Sequence, residues 1–416
     1  MSKLKVNVKW LENHNISVLY SEPVLYHCNF FNFYLQRTIE DAQEYVPAEE
    51  ILTDGGEMAA YAALSRLFEV NTQFQTAEEK LKVAAELYKH LGFGLIDNLA
   101  SLSEEGGSLE TPITHYSVGW KEVWGERKKP ADYFTCGYIA AALAVAYGKT
   151  TGTYQVKQTK CLTLGHETNE FTAQVRPTKK EIRKSPGVGK LNEKIPELPK
   201  LTSNVNAEEI TKAVREMQLV GNDQGLIPAF GVFLTRHFAN YYNYIVYETA
   251  KKMGEATGDD EIAKMLFIES GHVCAFNTLG GIMVSPEWEG LVQPQIQNED
   301  DILHGIIAVM NSLGWGHWCL SEHDGAKKMV ACVFSDYEAN GYLAMYGKAS
   351  HPISYFATGC SAGLMNLIYK GNIASKPKLT YEFYQNLFNK EDSYVAIQTK
   401  CRALGDDRCQ VEVKAQ

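Results

Sequence analysis

The sequence predicts two copies of one unit built from helices and β-hairpins, joined by a linker, and three observations predict it. A twelve-residue stretch occurs twice, as YQVKQTKCLTLG from Tyr154 to Gly165 and as YVAIQTKCRALG from Tyr394 to Gly405. Tyr154, Gln158, Thr159, Lys160, Cys161, Leu164 and Gly165 recur as Tyr394, Gln398, Thr399, Lys400, Cys401, Leu404 and Gly405, which is the mark of a duplication. Upstream of each copy lies a run apolar on every side, Tyr133 to Gly148 and Tyr355 to Gly371, the pattern of a buried helix. Between the copies, Arg176 to about Asn204 turns to Lys, Pro and Gly (RPTKKEIRKSPGVGKLNEKIPELPK), the composition of an exposed linker. The expected division is a first domain over 1–175, a Lys/Pro-rich linker over 176–205 and a second domain over 206–416.

Taken in order, KLKVNVKWL alternates like a strand suited to a sheet edge. VLYHCNFFNFYLQRTIEDA follows, with FLTRHFANYYNYIVYETA as its counterpart, and Asn29, Phe30, Phe31, Asn32 and Phe33 match Asn240, Tyr241, Tyr242, Asn243 and Tyr244. At helical spacing each Asn pair shares a face. Such a helix either lines a ligand cavity or a dimer seam, or packs in a core with its Asn residues bonded to backbone. A short helix around GEMAAYAALSRLF echoes GHVCAFNTLGGIM from Gly271 to Met283. Thr76 and Glu79 form a capping box for a helix that stops at Gly92. HYSVGWKEVWG aligns with VFSDYEANGYLAMYG through a Ser at the exit of a strand, and Trp120 and Trp124 lie one turn apart. Each copy closes on a hairpin, GHETNEFTAQV after the first and GDDRCQVEV after the second. Asn206 and Glu209 cap a helix striped by Ile210, Ala213, Val214 and Met217.

Composition bounds the function. The chain has 416 residues, a net charge of -10 and 45% hydrophobic residues, and a pI near 5.6, which argues against a nucleic-acid surface. No apolar run resembles a signal peptide or a membrane span, so a cytoplasmic protein is expected. Nine Cys residues fit a reducing compartment with free thiols. GKT at Gly148 to Thr150 lacks the earlier Gly of a phosphate loop, where Leu143 stands, and follows a helix. No Rossmann fingerprint, nucleophile elbow or paired-His zinc-protease motif is present.

The second half carries most of the polar chemistry. WGHWCLSEH puts Trp315, His317 and Cys319 on one face of a strand, with Glu322 and His323 at the turn and His304 upstream, in a spacing that matches no standard metal pattern. A hairpin turning at Gly405 sets Cys401 against Cys409, close enough to share a soft metal such as zinc. A disulfide fits the same geometry, but the expected compartment opposes it. With 23 Tyr, 17 Phe and 6 Trp, the composition allows an aromatic-lined cavity. Asn29, Phe33, Trp120, Asn240, Tyr244, Trp315 and His317 are the candidate pocket residues.

SDYEA (Ser335 to Ala339), FATGCSAGL (Phe356 to Leu364) and CRALGDDRC (Cys401 to Cys409) give the second half, and more loosely the first, a resemblance to the vinyl-reductase-type domain, the 4-vinyl reductase family. The resemblance implies an α+β fold in which helices over an antiparallel sheet enclose an apolar pocket. It also implies binding of a small hydrophobic or aromatic molecule (a hydrocarbon, an aromatic or a tetrapyrrole) in a sensor or carrier. Some aromatic-sensing members bind zinc through a Cys before the small-residue helix, a Glu three residues before the first hairpin Cys, and both hairpin Cys. Those positions are here Ser354, Gln398, Cys401 and Cys409, leaving Cys401 and Cys409 as the candidate ligands of a zinc ion in the second domain. In the first domain they are Asp132, Gln158, Cys161 and Asn169. Unequal domains are therefore expected, packed as an intramolecular pseudo-dimer or forming a homodimer. Two alternatives stand beside binding: a metal- or cofactor-assisted enzyme, although nothing in the sequence supplies a hydride-donor site, and an interaction scaffold.

Overall fold

The computed structural model describes residues 5–198, 201–388 and 392–415. Lys3 and Leu4 of the alternating first run, and Pro199 and Lys200 of the Lys/Pro-rich stretch, lie outside them. The first half runs β1 (Val8–Leu11), β2 (Ile16–Leu19), β3 (Glu22–Cys28), α1 (Asn29–Asp41), α2 (Ala48–Val70), α3 (Ala77–His90), β4 (Gly106–Thr111), α4 (His115–Trp124), α5 (Tyr133–Ala146), β5 (Tyr154–Lys160) and β6 (Asn169–Val175). The second runs α6 (Ala207–Glu216), β7 (Ile227–Ala229), β8 (Val232–Phe238), α7 (Ala239–Thr257) and α8 (Glu261–Cys274). A π-turn over Ala275–Leu279 leads from α8 into α9 (Gly280–Met283). Then come α10 (Pro286–Leu291), α11 (Glu299–Met310), β9 (His317–Asp324), β10 (Lys328–Phe334), α12 (Tyr337–Tyr346), α13 (Tyr355–Met365), α14 (Tyr381–Phe388), β11 (Tyr394–Lys400) and β12 (Cys409–Ala415).

The fold is α+β, with helices packed on antiparallel sheets. Strands order as β1-β2-β3-β8-β7, as β11-β12-β10-β9 and as β4-β6-β5. The five-stranded sheet draws on both halves: β3 pairs with β8 from Val24↔Phe238 to Cys28↔Leu234. Every residue of β3 is buried, as a strand paired on both edges and covered by helices must be. Helices α1 and α7 each pack on both β3 and β8.

Outward from that sheet the halves follow one scheme. Helix α2 packs on α5, which lies on β5 and β6, while α8 packs on α13, which lies on β11 and β12. Small residues permit the approach. A Cβ on Gly137 would sit 2.3 Å from Thr53 O, and one on Gly359 would sit 1.8 Å from Ile268 O. Helix α5 is buried on all sides save at Val145, and α13 throughout.

Sequence reading and structure differ in four places. The helix around GEMAAYAALSRLF is not short, since α2 extends back to Ala48 behind Pro47. Ser117 and Ser335 are not equivalent: the N-caps Thr114 and Asp336 align the ten-residue helices α4 and α12, which puts Ser117 inside its helix and Ser335 before its own. The Asn-based match of α1 with α7 is one residue out, because both helices start one residue after their strands, at Asn29 and Ala239. Among the described residues the stretch after Arg176 has no helix or strand until α6, and it is a docked strap rather than a free tether. Lys180 bonds Glu50 and Asp54, each at 2.7 Å, Arg183 Nη1 donates to Met345 O at 2.7 Å, and Asn192 N donates to Ser335 Oγ at 3.2 Å. Apolar contacts of Ile182 and Leu201 with the core help to hold it. No helix in the described residues is long and apolar enough to cross a membrane.

Candidate ligand-binding site

Strand β3 ends and α1 begins so that His27 and Phe31, one turn apart, stack at 3.9 Å between ring centroids. Trp315 stacks on the imidazole at 5.0 Å, while Phe356 and Tyr242 meet it edge-on at 5.1 and 5.0 Å. The indole is held in place from both sides. A Cβ on Gly314 (φ +88°) would lie 2.7 Å from Val24 O, so the backbone before Trp315 can lie against β3 only as glycine. Trp315 Nε1 then donates to Tyr26 O at 2.9 Å.

His27 is fully buried, and burial pushes its pKa well below the ordinary imidazole value, so the ring is neutral. Nδ1 lies 3.7 Å from Cys274 Sγ, and among the described residues Nε2 has no hydrogen-bond partner. Cys274 Sγ donates to Thr278 Oγ1 at 3.3 Å, and Thr278 Oγ1 to Cys28 Sγ at 2.8 Å. Thr278 sits in the π-turn, a distortion that recurs at functional sites.

Phe31, Tyr242, Tyr337 and Phe356 also wall a crevice that Tyr247, Tyr355, Phe267 and Glu338 complete. Its volume is about 10 Å³, room for one water at most. His27 and Trp315 do not line this crevice, and a guest larger than water requires its rings to swing.

A counterpart cage has the halves exchanged, with its His on β8 and two of its ring partners in the first half. His237 stacks on Tyr241, again four residues on, at 4.5 Å and meets Phe93 and Phe134 at 4.9 and 4.4 Å. Phe93 lies between Gly92 and Gly94 as Trp315 lies between Gly314 and Gly316. The chemistry differs. His237 Nδ1 accepts from Phe238 N at 2.9 Å, and Nε2 meets Tyr116 OH at 3.3 Å, so both nitrogens are engaged. Three residues beyond the helix glycine that faces Phe134 or Phe356, the first half has Ala59 where the second has Cys274. Tyr242 belongs to both cages, its ring 5.0 Å from His27 and 4.7 Å from His237, and its hydroxyl donates to Asn32 Oδ1 at 2.6 Å.

The seven candidate pocket residues do not meet in one cavity. Trp315 is in the second cage. Asn29 Oδ1 accepts from Phe233 N at 3.2 Å, joining the halves. Phe33 packs with Trp120, whose outer face carries the Arg127 guanidinium at 3.9 Å. Asn240 donates to the strap at Ser185 Oγ and Gly187 O, and Tyr244 covers Gly55. His317 bonds Asn15 at 3.1 Å on the wall of an open polar cleft of about 1050 Å³. His27, Phe31, Tyr242 and Phe356 are not among the seven candidates, although Phe31 and Tyr242 lie on the helices whose sequence suggests a cavity lining. Their signal is a His four residues before an aromatic, together with the Gly-aromatic-Gly of 92–94 and 314–316, which the one-residue misalignment of α1 on α7 concealed.

The resemblance-derived positions do cluster in each half. Gln398 Nε2 donates to Ser354 Oγ at 3.0 Å, and Ser354 Oγ lies 2.7 Å from Asp336 Oδ2 and 3.3 Å from Cys409 Sγ. A hydrogen bond from Cys409 draws the Cys401 thiol down to about 7. In the first half, Gln158 Nε2 donates to Asn169 Oδ1 at 3.0 Å, and its Oε1 accepts from Asp132 N at 3.0 Å. The carboxyl has changed places: the N-caps of α4 and α5 are Thr114 and Asp132, whereas those of α12 and α13 are Asp336 and Ser354. Among the described residues no group of three or more His, Cys, Asp or Glu side chains is arranged to hold a metal ion. Ser354 and Gln398 are hydrogen-bonded to each other and to Asp336, Cys409 and Lys400.

No protein-family profile and no curated protein matches this chain. Among solved structures, the phenol-responsive sensory domain of the transcription activator PoxR, with phenol, is similar at 13% identity over 51% of this chain and 90% of that domain. Its TM-score of 0.37 is too low for the likeness to assign a fold or a function.

Proposed function

We propose that this chain binds a small apolar or aromatic molecule where β3 and α1 meet the second half, as a sensor or carrier, with the ligand's polar group on His27 Nε2. The observation that carries the reading is a neutral imidazole in an aromatic cage, with one ring nitrogen unpartnered among the described residues. A buried polar atom without a partner costs about 1–3 kcal/mol, and a ligand that supplies the partner recovers it. The reading takes both halves as units of the vinyl-reductase type, from the SDYEA, FATGCSAGL and CRALGDDRC motifs, joined as a pseudo-dimer. One ligand per chain follows, because the first cage has no free ring nitrogen.

Isothermal titration of the full chain with indole and 2-naphthol tests the reading. Each is expected to bind at one site, and His27→Phe is expected to weaken binding at least tenfold, about 1.4 kcal/mol. The same variant should melt no lower than the parent, since it removes a buried unpaired polar atom. Undiminished binding by the variant would remove His27 from the site, and no binding of either compound by the parent would end the reading.

A further inference from the structure

The crevice beside the cage adjoins a surface vestibule. Tyr247 and Tyr355 line the crevice and also a surface vestibule of about 370 Å³, with Lys251, Glu255, Asp260 and His351 around it. Each tyrosine is held by one hydrogen bond at its hydroxyl, Tyr247 OH to Ile353 O at 3.1 Å and Tyr355 OH with His351 Nε2 at 3.1 Å. The two rings, which also pack on Tyr342 at 4.9 Å and on Phe267 at 6.4 Å, separate vestibule from crevice.

Behind them the crevice offers rings and a carboxyl. Glu338 is 4% exposed, and its two oxygens accept from Phe356 N at 2.9 Å and Ala357 N at 3.0 Å, which fixes the carboxyl at the start of α13. Each oxygen keeps a second lone pair. Aromatic rings around a cation, with an acid beside them, favour an organic ammonium by cation–π attraction and charge pairing. The vestibule leans the same way, since Lys251 pairs with Glu255 at 3.9 Å while Asp260 adds a further acid. The first half lacks this arrangement, because the second position of α4 is Tyr116 where that of α12 is Glu338.

We propose that the second-half crevice selects an aromatic ligand bearing an ammonium group, admitted past Tyr247 and Tyr355 and paired with Glu338. This rests on the reading that the interior binds a small aromatic molecule. Burial, with the Asp336 carboxyl nearby, raises the Glu338 pKa above its ordinary value, so a cation entering beside it favours the carboxylate and the release of a proton to solvent.

The test uses three probes of one size, benzylamine, benzyl alcohol and benzoate, titrated into the full chain in two buffers of different ionisation enthalpy. Benzylamine is expected to bind at least tenfold tighter than benzyl alcohol with release of a proton, and benzoate at least tenfold more weakly than the alcohol. In Glu338→Gln, benzylamine should fall to the affinity of benzyl alcohol while the alcohol is unchanged. Benzyl alcohol bound as tightly as benzylamine, or benzylamine bound without proton release, overturns the proposal and leaves the aromatic-binding reading standing. Failure of all three to bind overturns the proposal, and the aromatic-binding reading then rests on indole and 2-naphthol. The comparison of probes and the proton count need only the parent chain, so they decide the matter even if Glu338→Gln does not fold.

Discussion

Glu22 shows how one side chain couples both halves to the strap. It is fully buried at the start of β3, and its Oε2 accepts from Asn240 Nδ2 at 3.0 Å and Ser185 Oγ at 2.6 Å. Among the described residues, Glu22 Oε1 and Asn240 Oδ1 have no partner. A proton on the carboxyl supplies the donor this pair of acceptors lacks, and burial raises the pKa to about 7. An acid raised in the folded state stabilises it below the unfolded value near 4.5 and loses that contribution as pH rises toward 7. The difference amounts to about 3 kcal/mol. Glu22→Gln, which carries a permanent donor, should therefore match the parent near pH 4 and exceed it by about that amount at pH 8. Denaturant melts at the two pH values check this, and a parallel loss in both proteins would remove Glu22 from the pH dependence. None of this was legible in the sequence, where Glu22 is an ordinary acid beside Pro23. A partner 218 residues away and a strap that reads as solvated are what bury it.

Elements were the readable scale. The hairpins β5–β6 and β11–β12, the all-buried α5 and α13, and the Thr76–Glu79 capping box follow from periodicity and local chemistry that act within a few residues. What local pattern could not convey is how helices meet. Gly56 with Gly137, and Gly271 with Gly359, let α2 reach α5 and α8 reach α13, and in sequence these are merely small residues. Gly359→Ala should cost at least about 2 kcal/mol, because its Cβ would meet backbone that cannot yield as a flexible side chain would. Gly290→Ala, on α10 with nothing within 4 Å, should instead gain between zero and about 1 kcal/mol. Thermal melts of the two variants separate the effects. Equal outcomes would mean that the close approach is not what those glycines provide.

At the scale of the whole molecule, the shared sheet decides what can stand alone. The repeat suggests two domains and the Lys/Pro-rich composition suggests a tether, and on that picture cutting at the tether would release two independent units. The contacts argue otherwise. Strands β3 and β8 occupy the middle of one sheet, α1 reaches α8 and α2 reaches α7, and Asn29 and Asn32 each bond residues of the other half. Separation would strip β3 and β8 of one hydrogen-bonded edge each and expose the apolar side chains beneath, a template for pairing with another chain. Because β3 and β8 are both followed by a helix that packs on the pair, each fragment carries most of what is needed to mimic its absent neighbour. Residues 1–198 and 201–416 expressed apart should therefore self-associate or aggregate. Expressed together they should recombine into a one-to-one complex with the mass of the intact chain. Light scattering on the separated and co-expressed fragments reads this directly. Two folded monomers that ignore each other would show that each half completes its own core, and that the β3–β8 seam is a contact rather than the foundation of the fold.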